Sequence, residues 1–148
     1  MDINNIIRGV CNAVNMEFEN AVVYTEQVEQ GLKLPCFFVY CKKLSRQRYR
    51  GCRFLAKNQI CIQYIPSGSE NMQSEIDSTA QRLFECTRYI GVYENGGEYL
   101  LDGTKAYYEK DDKVMNFYVN YDIFYRVTDE ISLMEELTVI NKDSYKVG

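Results

Sequence analysis

The sequence predicts an α+β fold in two layers, a mainly antiparallel or mixed sheet with two amphipathic helices packed on one face, and three observations carry that prediction. Two segments repeat their apolar residues at helical spacing. One is Ile3, Ile6, Ile7, Val10, Ala13 and Val14; the other is Met72, Ile76, Ala80, Leu83, Thr87 and Ile90, widened by Thr79 and Phe84. Elsewhere the chain alternates with a period of two, most regularly in "VMNFYVNYDIFYRV" at 114–127. Finally, 148 residues with 46% apolar content suffice for one core and are too few for two.

The first helix spans 2–18 behind a capping Asp2. A short strand, "AVVYTEQ" at 21–27, follows, and "LPCFFVYCKKL" opens a buried strand at Pro35. After a polar interval, "NQICIQYIP" alternates Ile60, Ile62 and Tyr64 against Cys61 and Gln63, and Pro66 ends it. Ser67 and Glu70 have the spacing of a capping box and are expected to start the second helix. "ENGGEY" at 94–99 reads as a glycine turn. "GTKAYYEK" and "KVMNFYVNYDIFYRV" flank Asp111 and Asp112, turn formers that predict a tight antiparallel hairpin. Beyond it the alternation stops. The expected organisation is a single α+β domain over 1–128, then a C-terminal short helix near 132–137 and a loose tail within 129–148.

The last strand is unusually long. From Met115 to Val127 it reaches about 44 Å, while a domain of this size is roughly 40 Å across. Such a strand crosses the domain or overhangs it, and its rings Phe117, Tyr121 and Tyr125 are candidates for an inter-subunit contact.

Histidine is absent, which removes Ser-His-Asp and Cys-His catalysis and every histidine-containing metal site. No P-loop or GxGxxG is present, and the carboxylates are scattered. No catalytic set, cofactor or metal is predicted. Six cysteines without a secretory signal read as free thiols, and Cys36 and Cys41, of opposite parity, do not suit a zinc site. No apolar run is long enough for a membrane span, and the start lacks a signal peptide's pattern, so a cytoplasmic protein is expected.

Charge is the most informative feature. From Lys42 to Lys57 lie seven basic residues and no acid, a local +7, leaving ten basic against 21 acidic residues elsewhere. Arg46, Arg48, Arg50 and Arg53 are expected in a loop between two strands. Three readings stay open: a solvated connection, a contact with an acidic neighbour or a copy of the same chain, or single-stranded nucleic acid held by charge and by Tyr49. A sequence pI near 5.0 argues against nucleic acid as the main partner.

In order and spacing, "LPCFFVYCKKL", the Arg-rich turn, "CIQYIP", the helix ending "RLFECTRYI", "DGTKAYYEKDDKVMNFYVNYDIFYRV" and "SLMEEL" resemble the phage and prophage tail terminator family of Gram-positive bacteria. The resemblance covers roughly residues 1–137. It implies a lambda-type α+β structural protein forming a hexameric ring that caps the tail tube, stops its polymerisation and offers a surface to the head. The implied partners are further copies of the chain, the tail tube protein, a terminal sheath ring if the tail contracts, and a head–tail connector or collar protein. DNA would meet it only while passing through the lumen. The implied location is the host cytoplasm during assembly, then the head-proximal end of a virion tail or tail-like particle. A head-completion adaptor ring is the nearest rival within the structural class, and a nucleic-acid-binding module the rival outside it.

Overall fold

Helix α1 (Ile3–Glu17) starts as its sequence dictates: the Asp2 carboxylate accepts a hydrogen bond from the Asn4 amide at 2.9 Å, satisfying one of the free donors of the first turn. Its apolar stripe buries Ile6, Val10 and Val14 completely. In this computed structural model, residues 1–26, 31–68, 70–127 and 145–147 are described. Strand β1 (Val22–Tyr24) is brief and pairs in parallel with the start of β2 (Cys36–Arg50). Strand β3 (Arg53–Ile65) returns antiparallel, and helix α2 (Met72–Cys86) follows. Strands β4 (Tyr89–Glu94) and β5 (Gly97–Asp102) form a separate two-stranded sheet. Strands β6 (Thr104–Asp111) and β7 (Val114–Val127) make the expected hairpin, with Asp112 at the turn in the left-handed region, φ 59°. Strand β8 (Tyr145–Val147) pairs with the far end of β7.

The main sheet runs β1-β2-β3-β7-β6, antiparallel except at its first pair. One face carries the core. The odd-numbered residues of β7 from Met115 to Tyr125 are all buried there, and Ile60, Ile62 and Tyr64 continue that face on β3. Both helices pack against it through Ile6, Val10, Val14, Ile76, Ala80 and Leu83. The architecture is therefore the predicted α+β sandwich. Phe37 meets Phe18 and Tyr64 with ring centroids 4.8 Å away in each case, and Phe84 meets Phe117 at 4.9 Å. Polar ties fix the layers: Asp77 of α2 accepts from Tyr108 at 2.8 Å and pairs with Lys110 at 3.0 Å.

Several expectations need correcting. Ser67 and Glu70 form no capping box: Asn71 occupies the cap of α2, and Ser67 instead donates from its amide to Glu75 at 3.0 Å. Helix α2 stops at Cys86, so Ile90 belongs to β4. There the Thr87 hydroxyl turns back to the Leu83 carbonyl at 2.6 Å. The glycine turn at 95–96 closes the β4–β5 hairpin, with Asn95 and Gly96 both at positive φ. The tail is not wholly loose, since Tyr145–Val147 form β8; the short helix expected near 132–137 lies outside the described residues. The largest correction concerns the basic interval, which is strand and not loop.

The core cluster uses β2 no further than Cys41 and β3 only from Ile60 onward. The outer ends of these strands continue as a ribbon joined to β7. Because β1 pairs only with Cys36–Phe38, the outer edge of β2 from Val39 to Arg50 carries no partner strand among the described residues.

Candidate interaction surface

The overhanging tip is a four-strand structure of defined register, β2-β3-β7-β8. Arg46 lies opposite Ala56 and Arg48 opposite Phe54, while Phe54 lies opposite Tyr125 of β7. Cross-strand partners share a face, so Arg46 and Arg48 sit on the helix side, beyond Cys41, the last residue of β2 that packs against the core. Their guanidinium carbons are 5.8 Å from the Tyr125 ring and 5.7 Å from the Phe54 ring, respectively. These cation–π contacts lay charged side chains along apolar ones and keep the charges in water. Gly51, at φ 58°, and exposed Cys52 make the turn.

The opposite face of the tip is more unusual. Arg50 lies opposite Arg53, Arg53 opposite Arg126, and the register continues to Lys146 in β8. Like charges set directly opposite on neighbouring strands destabilise a sheet. None of Arg46, Arg48, Arg50, Arg53 or Arg126 has an ion pair among the described residues. Exposed Tyr49 and Phe124 stand beside this row with ring centroids 5.4 Å apart. The structure thus brings the four arginines singled out in the sequence onto one tip and adds Arg126, which is remote in the chain.

The three aromatic candidates fare differently. Phe117 and Tyr121 are fully buried within the protomer, and Tyr125 is 7% exposed. Phe117 packs against Phe84 of α2, and the Tyr121 hydroxyl donates to the Thr87 carbonyl at 2.7 Å. Burial pushes the Tyr121 phenol well above its ordinary pKa. These two rings belong to the core and present no surface to another subunit. Alternation along β7 identifies two faces but does not say which is covered.

A second exposed surface went unrecognised in the sequence. The inner residues of β4, Ile90 and Val92, are buried, which anchors the β4–β5 hairpin. Its outer face leaves Tyr89, Tyr93 and Leu100 exposed, beside the exposed Met16 of α1. The fixed placement depends on Gly9, where an added Cβ would fall 2.7 Å from the Gly91 carbonyl oxygen, so α1 and β4 approach backbone to backbone.

Among the described residues, the cleft at the ends of the two helices is closed by internal hydrogen bonds and an ion pair. In the cleft between the end of α1 and α2, Glu75 accepts from the Tyr64 hydroxyl at 2.6 Å. Arg82 pairs with Glu17 at 2.9 Å, and its guanidinium carbon lies 4.2 Å from the Phe18 ring centroid. Burial raises the Cys11 thiol to about 11 and the Cys86 thiol to about 12, opposite to the shift that activates a nucleophile. No cluster of His, Cys, Asp or Glu suited to a metal occurs among the described residues. Among the described residues no helix is long and apolar enough to cross a membrane.

The sheet outruns its own core and carries, at its free end, arginines with no ion pair among the described residues. The class is a structural α+β assembly component. The chain belongs to the phage tail terminator protein family, whose model matches residues 5–132. No curated protein matches the chain closely enough to count as a relative.

Proposed function

We propose that this chain forms a six-membered ring that caps the finished tail tube, stops its polymerisation, and presents its other side to the head–tail connector. Family membership supports the terminator role, and one observation supports action by assembly: the in-register row Arg50, Arg53, Arg126, held without an acidic partner among the described residues. A row of like charges costs stability in a lone protomer, and an acidic neighbour would offset that cost. Arginine suits the contact because its planar fork meets carboxylates with two parallel hydrogen bonds and sheds water more readily than an ammonium group. The contact role goes to the tip arginines, Tyr49 and Phe124, and not to the buried Phe117 and Tyr121.

Electron microscopy of particles assembled without this chain tests the reading. Tubes of uncontrolled, excessive length are expected. Tubes of normal length beside unattached heads would instead identify a head-completion adaptor. The nucleic-acid reading has its own measurement: single-stranded DNA binding that persists at physiological salt would favour it, whereas weak binding that vanishes there is expected.

A further inference from the structure

We propose that copies of this chain join head to tail, the basic tip of one copy docking on the outer face of the β4–β5 hairpin of the next. The proposal rests on the ring reading and names its interface. Residues 89–102 contain three acids, Glu94, Glu98 and Asp102, and no base, whereas 42–57 contain seven bases and no acid. Glu94 is occupied: its carboxylate accepts from the Asp2 amide at 2.9 Å and from Asn5 at 3.0 Å. Glu98 and Asp102 are exposed and have no ion pair among the described residues.

Shape agrees with charge. Tyr89 is 51%, Tyr93 63% and Leu100 72% exposed, a concentration of large apolar side chains on so small a hairpin. The cross-strand register places Leu100 opposite Gly91, between the two tyrosines, so the face is low at its centre and ringed at its edge. The Glu98 carboxylate lies over that low centre, where a Cβ on Gly91 would come within 2.8 Å of it. Aromatic rings beside an unpaired carboxylate make a receptor for arginine, and tyrosine and arginine are the residues that most often dominate interface energetics. The chain already uses this pairing internally, with Arg46 over Tyr125 and Arg48 over Phe54. Arg88, 5.4 Å from the Tyr89 ring centroid, offsets one acid at the near end and leaves Tyr93 and Glu98 open.

The two surfaces are different, so each copy offers one of each. Two tips repel one another, and so do two acidic hairpins, which disfavours a two-fold dimer. Contacts between unlike surfaces generate rings when the rotation closes.

Native mass measurement on concentrated protein at low ionic strength tests this with two variants. The tip variant carries Arg46→Gln, Arg48→Gln, Arg50→Gln and Arg53→Gln; the hairpin variant carries Tyr93→Ser, Glu98→Gln and Leu100→Ser. All seven positions are exposed, so the fold should survive in both. Each variant alone should be monomeric under conditions in which the wild type forms rings. Mixed equally, they should give a one-to-one heterodimer and nothing larger, since each pair retains a single intact tip facing a single intact hairpin. If either variant alone forms rings like the wild type, or the mixture stays monomeric, the proposed interface is wrong while the ring stands. Wild type that is monomeric both in solution and on tube ends would overturn the ring and this interface together.

Discussion

Strands β3 and β7 stay in register from Arg53–Arg126 to Tyr64–Met115, yet the two ends of this one ladder live under different physics. From Ile60 and Val119 toward Tyr64 and Met115, the helix-side residues are apolar, fully or nearly fully buried, and packed against α1 and α2. From Asn58 toward Arg53, the same hydrogen-bonded backbone carries Lys57, Arg53, Arg126 and the exposed Phe124, and its covered residues Ala56, Ile123 and Tyr125 lie at the margin of the helical layer. Asn58 marks the border: it is 3% exposed, and its side-chain amide donates to the Tyr121 carbonyl at 2.8 Å. Continuous strand pairing thus supports a change of purpose. One half contributes the packed core, and the other half is held in register by its pairing to the first.

Four experiments break or sharpen that division, taken from the largest expected loss of stability to the smallest. Phe117→Ala empties a fully buried position between β7 and α2, which costs about 3–5 kcal/mol. At about 2–4 °C per kcal/mol for a chain of this size, the melting temperature should fall by roughly 10 °C. A loss of only a degree or two would mean that the covered half is not where stability resides.

Tyr121→Phe keeps the ring and deletes the hydroxyl that donates to the Thr87 carbonyl. Leaving a buried acceptor unsatisfied costs about 1–3 kcal/mol, and denaturant unfolding should show a lower midpoint with an unchanged slope. A neutral result would show that water replaces the hydroxyl.

The third experiment is acid titration. Partial burial opposes the charge on Glu94, but hydrogen bonds from the Asp2 amide and Asn5, together with the terminal ammonium 3.7 Å away, outweigh it and hold its pKa below the usual carboxylate range. A depressed carboxylate pKa stabilises the fold fully above the unfolded-state value, and that stabilisation is lost as pH falls through the folded value. The stability gap between wild type and Glu94→Gln should therefore be steady at neutral pH and narrow below about pH 4.3. A gap that does not change with acid would remove charge from the account of the α1–β4 joint.

The smallest effect on stability belongs to the quadruple tip variant. Exposed cation–π contacts are worth about 0.5–1 kcal/mol each, and two are removed, so its melting temperature should stay within a few degrees of wild type. Capping of tail tubes should nevertheless fail, or the caps should dissociate at moderate salt. Normal capping at high ionic strength would reduce the tip to a solubilising extension. A thermal loss as large as that of Phe117→Ala would erase the distinction between the two halves.

How legible this was in the sequence depends on the element. Helix α1, the β6–β7 hairpin and the reach of β7 could be read because apolar period and turn chemistry agree there. The outer halves of β2 and β3 could not, because "KKLSRQRYR" has no apolar alternation. Their strand conformation comes from the pairing of β2 with β3 and of β3 with β7, which local pattern does not contain. Strands β4 and β5 were hidden for another reason: in "YIGVYE" bulky residues occupy both faces of the strand, so nothing announces which side is core. The arginine cluster was visible as charge, whereas Arg126 joins it only through register. Phe117 and Tyr121 read as contact candidates by residue type, and residue type cannot say that a ring is covered.

The open edge of β2 has a consequence for the unassembled pool of subunits. An edge with no partner strand among the described residues, from Val39 to Arg50, is a template for runaway strand addition, the first step toward insoluble fibres. Lys42, Lys43, Arg46, Arg48 and Arg50 line that edge, and two such edges brought together would crowd ten positive charges. The charges thus act as gatekeepers that oppose edge-to-edge pairing of separate copies.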